Sequence, residues 1–352
     1  MDINDTSFKD KFSKDVLWNA SSLIFLSISG LALNFLIALN YGAEFLGIFN
    51  ITFALYIVLS QFAVFGLHLS ILRFASELFS VNQKQFAEAV FTGFLLVSAI
   101  SFAITLAAWA ATPFVAFIFK DDDIISAYQL LLPGLFAFSL NKFLLAVING
   151  ARHMTAFAIF QSSRYVLILG VLLILIITKQ GGEFLTLVIS IAELVLLPIL
   201  TIYVFFVSRI LKHQHLRFKK FWLTAHCIFG VRVFLSSAIS ELNTRVDVLM
   251  IGAFLGDVKA GIYSIAILLA EGLAQFSVVV RNNVNPLLTR FVLNNMLSEL
   301  REFSRKISLY FFSFMIVVGL LLLLLFPYLV SFVALENDFA SAYPSLIILI
   351  LV

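Results

Sequence analysis

Arg164, Arg245, Glu193, Glu271 and Asp247 lie deep inside long apolar runs of the chain, with Lys142 somewhat shallower. An ionised side chain near the centre of a bilayer costs about 2.5–3.5 kcal/mol even on the forgiving insertion scales, so such groups are paired or functional. At about 1.5 Å of rise per helical residue, Arg164 and Arg245 fall roughly 13–15 Å from the ends of their segments, near the midplane. The seventh apolar segment is the most informative. With side chains advancing by a constant angle around a helix, Ser236, Ser240, Asn243 and Asp247 form one stripe. Ser237, Glu241, Thr244 and Arg245 occupy the adjoining arc, while Ala238, Ile239, Leu242, Val246, Leu249 and Met250 suit lipid or packing. Such a segment is expected to line water or a hydrated ligand. The plainer reading is a self-neutralising Glu241–Arg245 pair at i,i+4 spacing.

Other ionisable residues point to less chemistry. Arg73, Arg232 and Arg281 are near one membrane edge, where their stems can snorkel, or they can act as basic sites at that edge. His68 reads as a packed membrane histidine, Asp121–Asp123 as a solvated loop, and His213 and His215 as part of a basic loop. Cys227 stands alone, so no internal disulfide or Cys/His metal spacing exists in the sequence. With no large polar loop carrying clustered carboxylates or histidines, an enzyme is not expected.

The elements that must position these groups follow from composition. Of 352 residues, 62% are hydrophobic and 12% charged, with mean hydropathy +1.06. Soluble domains carry roughly 45–50% apolar and about 25% charged residues, so lipid must be the solvent here. Apolar runs about 20 residues long without alternation exclude a barrel and imply helices. The net charge of +3 resides in loop lysines and arginines and is not a nucleic-acid signal. No cleavable signal peptide is read at the N-terminus.

Ten segments are expected, near 16–40, 45–70, 87–118, 125–150, 155–178, 184–208, 226–254, 259–283, 305–333 and from 340 onward. The last reaches Val352 without a polar flank, which reads as a truncated chain. Lys and Arg are concentrated in alternate connections, including Lys9, Lys11, Lys14, Arg73, Arg152 and the stretches 209–220 and 281–306, against Lys120, Lys179 and Lys259 on the other side. That asymmetry puts the N-terminus in the cytoplasm, with both long connections, near 209–225 and 284–304, on the same side. The expected organisation is an N-terminal six-helix lobe over 1–208, a basic linker over 209–225, and an incomplete C-terminal lobe of about four helices over 226–352.

The two lobes carry a repeat. Gly42-Ala43-Glu44-Phe45-Leu46-Gly47-Ile48-Phe49 matches Gly256-Asp257-Val258-Lys259-Ala260-Gly261-Ile262-Tyr263 at an offset of 214 residues. Holding the offset, Gln61-Phe62 meets Gln275-Phe276, with nine identities over the 23 positions from 42 to 64. Six helices separate the copies, so they enter the membrane from the same side and form a parallel repeat around a central cavity. The first glycine is expected to end a helix at positive φ, and the second to allow close packing.

Leu17-Trp18-Asn19-Ala20, Leu39-Asn40-Tyr41 running into the first repeat, Gly66-Leu67 and Ile71-Leu72-Arg73-Phe74 resemble the polysaccharide biosynthesis flippases. Asp247-Val248-Leu249-Met250-Ile251-Gly252 with Gly261-Ile262-Tyr263-Ser264-Ile265-Ala266 is similar to the start of that family's second lobe. The resemblance implies an all-α transporter of twelve or fourteen helices that carries undecaprenyl-pyrophosphate-linked oligosaccharides, such as O-antigen units, across the bacterial inner membrane by alternating access. It places the family beside the multidrug and toxin extrusion transporters. Arginine stays charged and donates in a fork matching two phosphate oxygens, so Arg245, Arg164 and Lys142, with Asn243 and Ser240, are expected to hold the head group. Glu241, Asp247, Glu271 and Glu193 are expected to pair with those charges or to couple transport to H+ or Na+, with no other cofactor. The implied partners are the lipid-linked substrate, membrane lipids and the polysaccharide polymerase machinery. Two other functions stay open. A cation-coupled antiporter on the same fold wants a first-helix acid, absent between Val16 and Asn40; a membrane-embedded polymerase or glycosyltransferase wants a surface site.

Overall fold

The computed structural model describes residues 6–207, 216–293, 296–332 and 337–351, which are helical almost throughout, with no strand among them. Backbone polar groups in lipid must be satisfied within their own segment, and the helix does this. The order is α1 (Thr6–Val64), α2 (Leu67–Leu78), α3 (Gln83–Ala110), α4 (Thr112–Phe119), α5 (Asp122–Gly150) and α6 (Met154–Ile177). Then come α7 (Leu187–Ile202), α8 (Lys220–Leu255), α9 (Asp257–Leu293), α10 (Leu297–Phe332) and α11 (Tyr343–Leu351). Among the described residues eight stretches are long and apolar enough to cross a membrane, so the chain is a multi-pass membrane protein. The first of them, Ile24–Val64, is two helices meeting at Gly42. With the short α11, the segments follow the expected order.

Several boundaries differ from expectation. The second segment bends at Phe65 and Gly66, both at positive φ, and resumes as α2. The third breaks at Ala111, where Pro113 opens α4. α8 starts at Lys220, inside the stretch read as a linker, while 208–215, with His213 and His215, lie outside the described residues. The long connection expected over 284–304 is a correction: α9 continues to Leu293 and α10 starts at Leu297. Polarity there marks departure from lipid, not departure from helix. Asp121 caps α5, accepting from the amides of Asp123 and Ile124, rather than lying in a free loop.

The repeat is realised in backbone geometry. Gly42 has φ 80° and ψ −175°, and Gly256 has φ 88° and ψ 174°. That region is accessible essentially to glycine alone, so each copy breaks its helix in the same way. One turn later the copies touch. A Cβ on Gly47 would lie 1.9 Å from the Asp257 carbonyl oxygen, and one on Gly261 would lie 1.9 Å from that of Ala43. Ala43 and Asp257 are themselves repeat equivalents, so the contact has two-fold character, and α1 and α9 cross with backbones in van der Waals contact.

α5 is the most buried span and carries a proline. Pro133 lacks an N–H and crowds the preceding turn, which opens the helix. Ser190 of α7 fills the opening: its Oγ donates to the Leu130 carbonyl (2.7 Å) and accepts from the Gly134 amide (3.1 Å). Thr186 adds a bond to the Ala127 carbonyl at 2.9 Å. These contacts fix the register of α7 on α5. At the far end, buried His226 anchors α8, with Nε2 3.0 Å from the Ala89 carbonyl and Nδ1 2.8 Å from Ser70 Oγ. A carbonyl only accepts, so Nε2 carries a proton, and Ser70 donates to Nδ1 of the neutral ring.

Candidate functional site

One turn beyond Ser190, the α5–α7 register brings Glu193 against Asn141. Asn141 Nδ2 donates to Glu193 Oε2 at 2.8 Å and to the Glu193 carbonyl at 2.9 Å. The other carboxylate oxygen, Oε1, lies 2.6 Å from Nε of Arg164 on α6. The Glu193 side chain is 1% exposed and that of Arg164 16% exposed. The guanidinium carbon of Arg164 also sits 4.7 Å from the centroid of Phe138. A buried charge persists when paired and hydrogen-bonded, and this cluster meets that condition for the carboxylate. For the arginine it does so incompletely: Nη2 has no hydrogen-bond partner among the described residues.

Arg245 of α8 occupies the opposite wall. Its Nη1 lies 3.6 Å from Glu271 Oε1 of α9, its guanidinium is 6.0 Å from the ring centroid of Phe53, and its Nε has no hydrogen-bond partner among the described residues. This pair is looser and wetter than the first, at 27% and 40% exposed. Both pairs line one cavity of about 450 Å³, together with Asn34, Asn50, Tyr165 and Gln275.

The repeat builds the cavity walls. At the 214-residue offset Leu31 corresponds to Arg245, Asn34 to Val248, Asn50 to Ser264, Phe53 to Ile267 and Ile57 to Glu271, and every one of these residues faces the cavity. The backbone frame is therefore shared, while the charges are not. The second copy places Arg245 and Glu271 where the first has leucine and isoleucine, and α6 and α7 supply Arg164 and Glu193 on the first side.

The remaining expected residues are distributed elsewhere. Lys142 is half-buried, 5.8 Å from the Phe138 ring centroid and within electrostatic reach of Glu241 and Arg164, but it is not part of the cavity wall. Ser240 and Asn243 are exposed on α8 and do not line the cavity. Of the expected polar stripe and its adjoining arc, Arg245 alone lines the cavity. The Glu241–Arg245 pair is not formed, a correction that follows from the cavity's offering Arg245 both a carboxylate and an aromatic face. Asp247 is occupied at the α8–α9 hairpin, accepting from Tyr263 Oη at 2.6 Å and from the Val248 amide at 2.8 Å. Of the basic residues expected near one membrane edge, Arg73 pairs with Glu77 at 2.8 Å and Arg232 is exposed, while the Arg281 side chain lies outside the described residues. His68 is packed, with Nδ1 unpartnered among the described residues. Sequence reasoning missed Asn141, Phe138 and Phe53. An asparagine inside an apolar run, one residue before Lys142, was the available signal for the first; the aromatics carried none, among 40 phenylalanines.

Comparison with known proteins agrees with this architecture. Residues 12–279 match the family described as polysaccharide biosynthesis protein. No curated protein matches the sequence. Among solved structures, the MATE multidrug transporter DinF-BH, solved in complex with a ligand, is similar over 92% of this chain and 74% of its own, with TM-score 0.61 and 15% identity. A MOP superfamily transporter from Pyrococcus furiosus, described as having a binding pocket of reverse polarity that suggests a different function, is similar over 96% of this chain and 74% of its own. Its TM-score is 0.51 and its identity 14%. A MATE protein in complex with MaD3S gives TM-score 0.50 at 14% identity, over 96% of this chain and 74% of its own. At such identities these likenesses speak to the fold.

Proposed function

This chain belongs to the polysaccharide biosynthesis protein family, and on that premise we propose that it flips a lipid-linked oligosaccharide across the bacterial inner membrane by alternating access. The observation carrying this reading is the pair of arginines, Arg164 and Arg245, lining one cavity from two sides, each with a guanidinium nitrogen that has no hydrogen-bond partner among the described residues. A pyrophosphate head group needs several charge-assisted donors on a fixed fork, which arginine provides. Glu193 and Glu271 hold the guanidinia in the absence of an anion. The arriving head group competes with them, so the carboxylates are released when substrate binds and are free to take up a coupling H+ or Na+. The glycan occupies the aqueous part of the cavity while the prenyl tail stays in lipid. In this reading the N-terminus is cytoplasmic, and Lys142 adds long-range attraction from behind Phe138. The product is delivered to the polysaccharide polymerase machinery on the far side.

A second reading has its own support. Two carboxylates in the cavity and a fold shared with multidrug transporters suit a cation-coupled antiporter of small cationic molecules. The test is complementation of a bacterial strain lacking its own surface-polysaccharide flippase, scoring surface glycan and lipid-linked precursor together. Restored glycan with falling precursor supports the flippase. Unchanged precursor with newly acquired drug resistance supports the antiporter and ends the flippase reading.

A further inference from the structure

A second concavity, of about 580 Å³, lies where α2 ends, α5 turns into α6 and the first half of α8 crosses them. It shares no lining residue with the central cavity. Its walls are apolar, from Leu69, Leu72, Phe229 and Val233, and its rim carries Arg73 and Arg152 with Asn149. The floor is a close helix crossing, since a Cβ on Gly150 would lie 2.9 Å from the Leu72 carbonyl oxygen.

The two arginines are not equivalent. Arg73 is half-committed: it pairs with Glu77 at 2.8 Å, and its guanidinium lies 5.9 Å from the ring centroid of Phe74 and 5.6 Å from that of Phe229. Arg152 is exposed, has no ion-pair partner among the described residues, and stands at φ 58° in the turn after α5. Glycine adopts that conformation at no steric cost, whereas other L-residues do so reluctantly. A cation there favours the C-terminal dipole of α5, which accounts for a positive charge at the turn. It does not account for an apolar trough opening beside it.

We infer that this groove is a docking site for an anionic phospholipid of the surrounding bilayer, its phosphate between Arg73 and Arg152 and its upper acyl chain on Leu72, Phe229 and Val233. Charge complementarity sets the sign: with Glu77 counted, the rim is net cationic. The apolar walls set the class, since a hydrated glycan or a free phosphate gains nothing from them, while an acyl chain does. The membrane-edge position sets the source, because Arg152 lies in a helix-joining turn where head groups reside. The docked lipid bridges α2 and the α5–α6 turn to α8, on the same half of α8 that His226 anchors. The inference is independent of what the central cavity carries.

The test uses Trp222, whose ring centroid is 5.3 Å from that of Phe74, beside Arg73. In the full chain with Trp18→Phe and Trp109→Phe, reconstituted in phosphatidylcholine vesicles, quenching by brominated phosphatidylglycerol is compared with quenching by brominated phosphatidylcholine. A basic residue near the surface is worth roughly a fivefold preference for anionic lipid, so two arginines offset by one carboxylate predict a preference of about five- to thirtyfold. Arg73→Gln with Arg152→Gln should bring it within about twofold, and Ser76→Phe, which puts a ring on another residue lining the groove and narrows it with its charges intact, should lower it at least threefold. Thermal unfolding in neutral lipid checks that both variants are folded. A preference that survives both substitutions overturns the site. Displacement of the quencher by a short-chain polyprenyl pyrophosphate, but not by unlabelled phosphatidylglycerol, overturns the assignment to bilayer lipid in favour of a transport substrate.

Discussion

Replacing Glu193 with glutamine tests the buried ion pair with little disturbance of shape. The amide oxygen can still accept from Asn141 Nδ2, so the change removes a charge while keeping a hydrogen bond. Arg164, 16% exposed and 2.6 Å from the carboxylate, is then left facing Phe138 without its counter-ion. Two unit charges about 4 Å apart attract by about 4 kcal/mol at an effective dielectric near 20. Removing one partner of a buried pair commonly costs about 3–5 kcal/mol. The cavity beside Arg164 admits some water, so about 3 kcal/mol is expected for Glu193→Gln. Arg164→Gln alone should cost a similar amount, by stranding the carboxylate. The double variant should cost about 1–2 kcal/mol, giving a coupling of several kcal/mol in the double-mutant cycle. The assay is reversible unfolding in mixed micelles followed by circular dichroism. If Glu193→Gln costs under about 1 kcal/mol, or if the double variant costs the sum of the singles, the pair does not hold the site as argued.

Three further outcomes follow from the same contacts. Gly47→Ala forces a methyl into the Asp257 carbonyl, so it should destabilise by at least about 2–3 kcal/mol, the upper range for overpacking against backbone; Gly170→Ala, with nothing within 4 Å, should be neutral or slightly stabilising in the same unfolding assay. Tyr263→Phe removes the 2.6 Å bond to Asp247 and should cost about 1.5–3 kcal/mol, as expected for a hydrogen bond to a charged group. His226→Ala leaves a cavity between α2, α3 and α8 and removes the bonds to Ser70 Oγ and the Ala89 carbonyl; it should cost about 2–4 kcal/mol and expose Cys227, one residue on, to faster labelling by a maleimide.

The features legible in the sequence are those that one segment determines by itself. Apolar runs marked the spans because a helix in lipid needs no partner to satisfy its backbone. Gly42 and Gly256 announced their conformation because no other residue takes it cheaply. Depth along a helix was also readable, and so Arg164, Arg245, Glu193 and Glu271 were all singled out. Their pairing was not, since Arg164 meets Glu193 through a register that Pro133 and Ser190 set between α5 and α7. The arc of α8 facing inward was hidden for the same reason. Ser240, Asn243 and Arg245 share a polar half-cylinder, and only the packing of α8 against α1 and α9 decides that Arg245 is the edge turned to the cavity. The connection read over 284–304 failed because polarity reports the exit from lipid and is silent on whether the helix continues.

The most direct test of the proposed transport is translocation of a fluorescent undecaprenyl-pyrophosphate-linked oligosaccharide in proteoliposomes. The wild-type chain is compared with Arg245→Gln, which leaves Phe53 and the loose Glu271 contact with little structural cost. The protein is expected to accelerate translocation, and Arg245→Gln to slow it at least tenfold while remaining folded. Translocation unaffected by Arg245→Gln, or absent alongside cation-driven efflux of a cationic dye, would contradict the flippase mechanism.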